Sequence, residues 1–152
     1  MSDASPPPPP PAPVPSPAPV WVEVLPVRWG DQDALGHVNN TVFFAYCESA
    51  RMAYFTKLRI EDHGAGAERG PVLATASCTF KEQVHYPATL LVEVRVGRIG
   101  RSSFTLHYEL LDQATGSSVA SGESVVVWAS YTGAGSLPIP EGLRSQLVAG
   151  VA

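Results

Sequence analysis

Asp31, Asp33, His37, Asn39 and Asn40 fall within one short stretch, Arg28-Trp29-Gly30-Asp31-Gln32-Asp33-Ala34-Leu35-Gly36-His37-Val38-Asn39-Asn40. Carboxylates and an imidazole gathered in one polar loop are groups that take protons or attack a carbonyl carbon. The stretch ends where a long apolar helical run begins. The first amides of a helix have no intrahelical partner, and its N-terminus carries about half a positive charge. That end is a donor for an oxygen gaining negative charge. Asp33 lies seven residues before Asn40, and a loop of that length can fold its carboxylate back over the helix start. Asp33 could then attack a carbonyl carbon or activate water, with the helix start as donor to the carbonyl oxygen; the sequence does not separate the two roles. The same residues also read as turn formers and helix caps, because Asp and Asn in a glycine-containing loop bond their own backbone.

The elements needed to hold such a loop are legible around it. Val20–Val27 is β-rich, with Pro26 marking an edge or a bulge. Asn40–Leu58 reads as a helix with Asn39 or Asn40 as N-cap. Its apolar residues, among them Val42, Phe43, Ala45, Tyr46, Ala50, Tyr54 and Leu58, cover more than one stripe, which predicts burial on most sides. Residues 59–70 read as loop. Four β-rich runs follow: Val72–Lys81, Thr89–Gly97, Ser102–Leu111 and Val119–Trp128. In the first, Val72, Ala74, Ala76, Cys78 and Phe80 fall on one face, taken as the inward one. Turn signals separate the runs at Tyr86-Pro87, Gly97–Gly100 and Asp112–Gly116. Residues 138–149 predict a short terminal helix. One strand, one long helix and four consecutive antiparallel strands predict an α+β domain, with a curled sheet wrapped round the helix.

Residues 1–19 are of different composition. Ten of the fifteen prolines lie there, including the run Pro6–Pro11. Such a segment has few donors and little to bury, so a disordered, extended Pro-rich tail is expected, with the folded domain over residues 20–152. Net charge is −4 and the pI is near 5.5, which argues against nucleic acid as a partner. Cys47 and Cys78 show no metal-like spacing, and two cysteines do not make a disulfide scaffold, so a reducing, cytoplasmic setting is expected. No apolar run approaches the roughly 20 residues that span a bilayer, and no basic region followed by an apolar core marks a signal peptide.

The chain resembles the hotdog-fold thioesterases, in the branch that holds 4-hydroxybenzoyl-CoA thioesterase and the short bacterial acyl-CoA thioesterases. The likeness rests on Arg28 to Asn40 as quoted, on Glu48-Ser49-Ala50-Arg51, on Arg98-Ile99-Gly100-Arg101-Ser102-Ser103-Phe104 and on Leu137-Pro138-Ile139-Pro140-Glu141. It covers about residues 20–147. The resemblance implies a homodimer or homotetramer, often with a continuous sheet, and active sites at the subunit interface. It implies hydrolysis of acyl-CoA to free acid and CoA, with Asp33 as the catalytic carboxylate and the Asn40 amide on the thioester carbonyl. A thioesterase acting on acyl-carrier protein and a non-catalytic acyl-thioester-binding module are the alternatives. The resemblance needs neither cofactor nor metal.

Departures from the family pattern fall at Phe43, where a tyrosine is common, and in Glu82-Gln83-Val84-His85-Tyr86-Pro87-Ala88. Both bear on the acyl pocket, and Phe43 is a candidate substrate contact beside Phe44, Tyr46 and Tyr54, all four of which read equally well as core. Arg98, Arg101 and Ser102, in a strand turn, suit the phosphates of coenzyme A; an ordinary charged hairpin tip is the plain reading. His37 either supports the loop or touches substrate. Asp31 reads as structural. Glu48 is a rival carboxylate, although an i,i+3 pair with Arg51 explains it more simply. His85 and His107 have no role legible in the sequence, and Cys47 and Cys78 read as small buried hydrophobes.

Overall fold

The computed structural model describes residues 17–60, 66–133 and 135–151. The Pro6–Pro11 run, with the rest of residues 1–16, lies outside the described residues, as do residues 61–65 of the expected loop. In chain order the elements are β1 (Trp21–Pro26), a 3-10 turn (Trp29–Asp31), α1 (Asn40–Lys57), β2 (Arg69–Phe80), β3 (Thr89–Ile99), β4 (Ser103–Asp112), β5 (Ser118–Ser130) and α2 (Glu141–Val151). The strands form one five-stranded sheet in the order β1-β3-β4-β5-β2. Every neighbouring pair is antiparallel. Pro26, without an N–H to donate, ends β1 on an outer edge of the sheet, the position its chemistry permits.

Period-two alternation sends one face of the central strands inward. Leu90, Val92, Val94 and Val96 of β3 are buried, as are Phe104, Leu106, Tyr108 and Leu110 of β4 and Val126 and Trp128 of β5. Helix α1 lies across this face and buries Phe43, Tyr46, Cys47, Ala50, Arg51, Tyr54 and Phe55, the i, i+3, i+4 series of one helical stripe. Each large apolar side chain so buried stabilises the fold by about 1.5–3 kcal/mol. Helix α2 packs Leu143 and Leu147 on the same core.

Two expectations need correction. The helix is buried along one stripe rather than on most sides, since Phe44, Glu48 and Met52 are exposed within the single chain. In β2 the alternation changes phase. A bulge between Leu73 and Thr75 inserts one residue into the ladder, and one extra residue moves all that precede it to the other face. Phe80, Cys78 and Ala76 stand opposite Ala120, Gly122 and Ser124, but the series continues through Leu73 and Pro71, opposite Val126 and Trp128. Val72 and Ala74 therefore leave the predicted inward face. β2 also starts at Arg69 rather than Val72, and most of its residues are exposed.

Candidate active site

The loop from β1 to α1 is held from below by Asp31. Its side chain is 4% exposed and accepts from the Arg28 backbone N–H at 2.9 Å, the Arg28 Nε at 3.0 Å and the Tyr46 hydroxyl at 2.8 Å. Burial alone would raise the Asp31 pKa. The hydrogen bonds from Arg28 and Tyr46, with the Arg28 charge, outweigh it and hold the carboxyl below its usual range. The Asp31 carbonyl accepts the Asn39 N–H at 2.9 Å, which places the helix cap. Asn39 is that cap: its Oδ1 accepts from the Thr41 N–H at 2.9 Å and the Thr41 hydroxyl at 2.8 Å. Asn40 is then the first helical residue, and its backbone N–H has no hydrogen-bond partner among the described residues.

Asp33 takes part in a tight turn. Its N–H donates to the His37 carbonyl at 3.0 Å and its carbonyl accepts the Gly36 N–H at 3.1 Å. Gly36 has φ of +80°, which a residue without a Cβ adopts freely. The Asp33 Oδ1 accepts the Leu35 N–H at 2.8 Å, and the second carboxylate oxygen has no partner among the described residues. The turn-forming and the chemical readings of Asp33 are thus compatible: one oxygen fixes the turn and the other is available.

Asp33, Leu35, His37, Asn40 and Phe43 line one cavity of about 400 Å³, and the segment Phe80–Val84 closes its other side. Phe43 is buried there, edge-to-face with Phe80 at 5.4 Å and with Tyr46 at 5.9 Å. The loop is tied to the 80–87 segment by the Val38 N–H to the Val84 carbonyl at 2.7 Å and the Tyr86 N–H to Gln32 Oε1 at 3.3 Å. His85, which has no role legible in the sequence, places Nδ1 2.9 Å from the Gly36 carbonyl and packs edge-to-face on His37 at 6.3 Å. The Tyr86-Pro87 turn marked this segment as a break between strands; nothing local in it signals contact with a loop some fifty residues earlier.

The remaining candidates are not brought to this cavity within one chain. Arg98, Arg101 and Ser102 sit at the β3–β4 hairpin. Trp128 donates its N–H to the Ser102 carbonyl, Ile139 to the Arg101 carbonyl, and Arg144 Nη2 donates to the Gly100 and Arg101 carbonyls. The loop end of the sheet is marked by the pairing of Pro26 with Thr89. Ile99 is ten residues further along β3, roughly 30 Å away at the usual rise. Glu48 is exposed and faces a different cavity, beside Arg51. The expected Glu48–Arg51 pair is not formed: Arg51 turns inward and donates to the Tyr108 hydroxyl at 3.4 Å. Tyr46 serves Asp31, and Tyr54 is core. Burial, with Cys78 beside it, pushes the Cys47 thiol well up, which disfavours a thiolate nucleophile. Among the described residues no cluster of three or more His, Cys, Asp or Glu could hold a metal, and no helix is long and apolar enough to cross a membrane.

Comparison with known proteins points the same way as the cavity. The PA2801 protein of Pseudomonas aeruginosa, a candidate thioesterase, superposes with a TM-score of 0.77 at 38% identity, over 83% of this chain and 96% of that one. The PA5185 protein of the same species gives a TM-score of 0.78 at 27% identity, over 90% and 96% of the two chains. YsmA of Bacillus subtilis (strain 168) is 35% identical over 82 residues, 54% of each chain, so this chain spans about half the length of that curated relative in the match. The model of the thioesterase-like superfamily matches residues 27–147. The chain belongs to the thioesterase-like superfamily, and its antiparallel sheet with α1 laid across it is the hotdog fold of that superfamily.

Proposed function

We propose that this protein is an acyl-CoA thioesterase, hydrolysing R–CO–S–CoA to the free acid and CoA. The observation that carries the reading is a single cavity shared by the Asp33 carboxylate and the start of α1, where the Asn40 amide has no partner among the described residues. The thioester carbonyl oxygen accepts from the Asn40 N–H, and the helix dipole favours the negative charge that grows on it. The free oxygen of Asp33 either attacks the carbonyl carbon, giving an anhydride that water then opens, or takes a proton from an attacking water. Both routes end with the acid and the CoA thiol. His37 supports the loop from the cavity wall, and Phe43 with Phe80 offers an apolar surface to the acyl group.

A second copy completes this site. β2 is an edge strand of twelve residues, largely exposed, with Leu73 46% and Phe80 45% exposed. A long apolar edge with unpaired backbone groups is a template for another strand. Two β2 strands paired about a twofold axis run antiparallel, so each subunit's far end lies beside its partner's loop end. That arrangement brings the partner's β3–β4 hairpin, with its copies of Arg98, Arg101 and Ser102, toward the Asp33 cavity as phosphate contacts. Arg98 and Arg101 are exposed and make no ion pair among the described residues, as such a role requires.

The test is steady-state hydrolysis of a panel of acyl-CoA thioesters, followed through the released thiol, by the unaltered protein and by Asp33→Asn. Turnover that survives the substitution undiminished removes Asp33 from the site. Tight acyl-CoA binding without any turnover makes the protein a binding module instead.

A further inference from the structure

A second cavity, of about 320 Å³, lies between α1 and β2 and shares no lining residue with the Asp33 cavity. It runs along the helix from Thr41 in the first turn, past Phe44, Ala45 and Glu48, to Arg51, with Leu73, Ala76 and Cys78 of β2 facing them. At its floor are Tyr108 and Ser124, whose hydroxyl oxygens are 2.6 Å apart. Arg51 is 6% exposed, yet among the described residues it faces no carboxylate within ion-pair distance. Its one hydrogen bond among the described residues is a long one, Nη1 to the Tyr108 hydroxyl at 3.4 Å. Among the described residues, no side-chain nitrogen or oxygen sealed from the surface lacks a partner. The remaining guanidinium donors are therefore those that the cavity itself reaches. Glu48 stands at the exposed rim and forms no ion pair among the described residues. Glu123 lines the cavity beside Ser124, but its carboxylate sits 3.4 Å from His107 Nδ1 on the outer face of the sheet.

A buried cation without an anion is an arrangement that folding alone disfavours. A planar fork of N–H donors matches a carboxylate, which accepts two of them at once. We propose that this cavity is a carboxylate-binding subsite, with Arg51 as its cation and the Tyr108–Ser124 hydroxyl pair as its polar floor. It takes the distal carboxylate of a carboxyacyl group. This deepens the acyl-CoA reading above and rests on it for the identity of the ligand. Thr41 to Arg51 spans roughly 15 Å along the helix axis, and the arginine side chain leans back toward the helix start. An acyl chain of about eight carbons laid from the first turn of α1 then brings its far end to the guanidinium. Leu73, Ala76 and Phe44 supply the apolar wall along which the methylenes lie.

The experiment has a binding arm and a turnover arm. In the first, titration calorimetry compares octanoate with octanamide, which has the same length and no charge, on the unaltered protein and on Arg51→Met. Octanoate is expected to bind about 10- to 100-fold more tightly than octanamide, a preference lost in Arg51→Met. In the second, kcat/KM for suberyl-CoA is compared with that for octanoyl-CoA, with the dicarboxylic substrate preferred and the preference abolished by the same substitution. Arg51→Lys keeps the charge and loses the fork, and is expected to retain only part of the preference if Arg51→Met does not fold. Arg51-dependent octanoate binding with no turnover of any acyl-CoA leaves the subsite standing and removes the thioesterase reading. Turnover without preference for suberyl-CoA, with octanoate and octanamide bound equally, overturns the subsite and leaves the thioesterase reading intact.

Discussion

Replacing Tyr46 by Phe removes one hydroxyl and tests whether Asp31 is the anchor of the loop. The Tyr46 hydroxyl donates to Asp31 at 2.8 Å, and Asp31 is 4% exposed. Arg28 also pairs with Asp31 at 2.9 Å, but its side chain is 75% exposed, so water and salt screen its share. The buried bond from Tyr46 is the one whose loss is felt. A hydrogen bond to a charged group contributes about 1.5–3 kcal/mol, and the phenylalanine ring keeps the packing on Phe43. Denaturant unfolding at pH 7 should show that loss for Tyr46→Phe. The sign of the pH dependence follows from the lowered pKa of Asp31. Stabilisation from a depressed carboxyl is present above its unfolded pKa, near 3.9, and fades as pH falls through the lower folded value. The gap between the two proteins should hold from neutral pH to about pH 4 and narrow below it. A loss under about 0.5 kcal/mol at pH 7, or a gap unchanged to pH 2.5, would refute the assignment of Asp31 as the buried anchor.

His85→Ala removes the bond to the Gly36 carbonyl and should lower kcat by up to about tenfold while leaving the unfolding midpoint nearly unchanged, because the bond is exposed and serves to fix the Asp33 turn. Leu73→Asp puts a charge on the exposed inner face of β2 and should convert an associated species to a monomer on size-exclusion chromatography with light scattering; an unaltered protein that is already monomeric removes the proposed edge-to-edge pairing.

How far the sequence carried differs from element to element, for physical reasons. The central strands were legible because their inner face is continuously apolar and their outer face polar, so Leu90 to Val96 and Phe104 to Leu110 alternate without interruption. β2 was legible as a strand, but not in its phase before the bulge, because a bulge costs the sequence no distinctive residue: Ala74 can be read in either phase, and the pairing with β5 decides. The loop was legible as a cluster of groups capable of chemistry. Its internal wiring was only half so. That Asp31 would be structural follows from its place before the helix, whereas its bond to Tyr46, fifteen residues on, needs the helix laid down first. The closure of the cavity by Phe80–Val84 and the contact of His85 with Gly36 are long-range, and no local pattern announces them. Arg51 was misjudged for a related reason. Spacing alone makes an arginine three residues after a glutamate a helix-surface pair, but that position falls on the buried stripe with Cys47, Ala50 and Tyr54.

Steady-state hydrolysis of the acyl-CoA panel by the unaltered protein and by Asp33→Asn bears most directly on the role of Asp33. Asparagine keeps the shape and the turn-forming oxygen but neither attacks nor takes a proton. A kcat lower by about 10²- to 10⁴-fold, with acyl-CoA binding and thermal stability retained, is the expected result; Asp33→Asn protein that hydrolyses the same thioesters at the unaltered rate would contradict it.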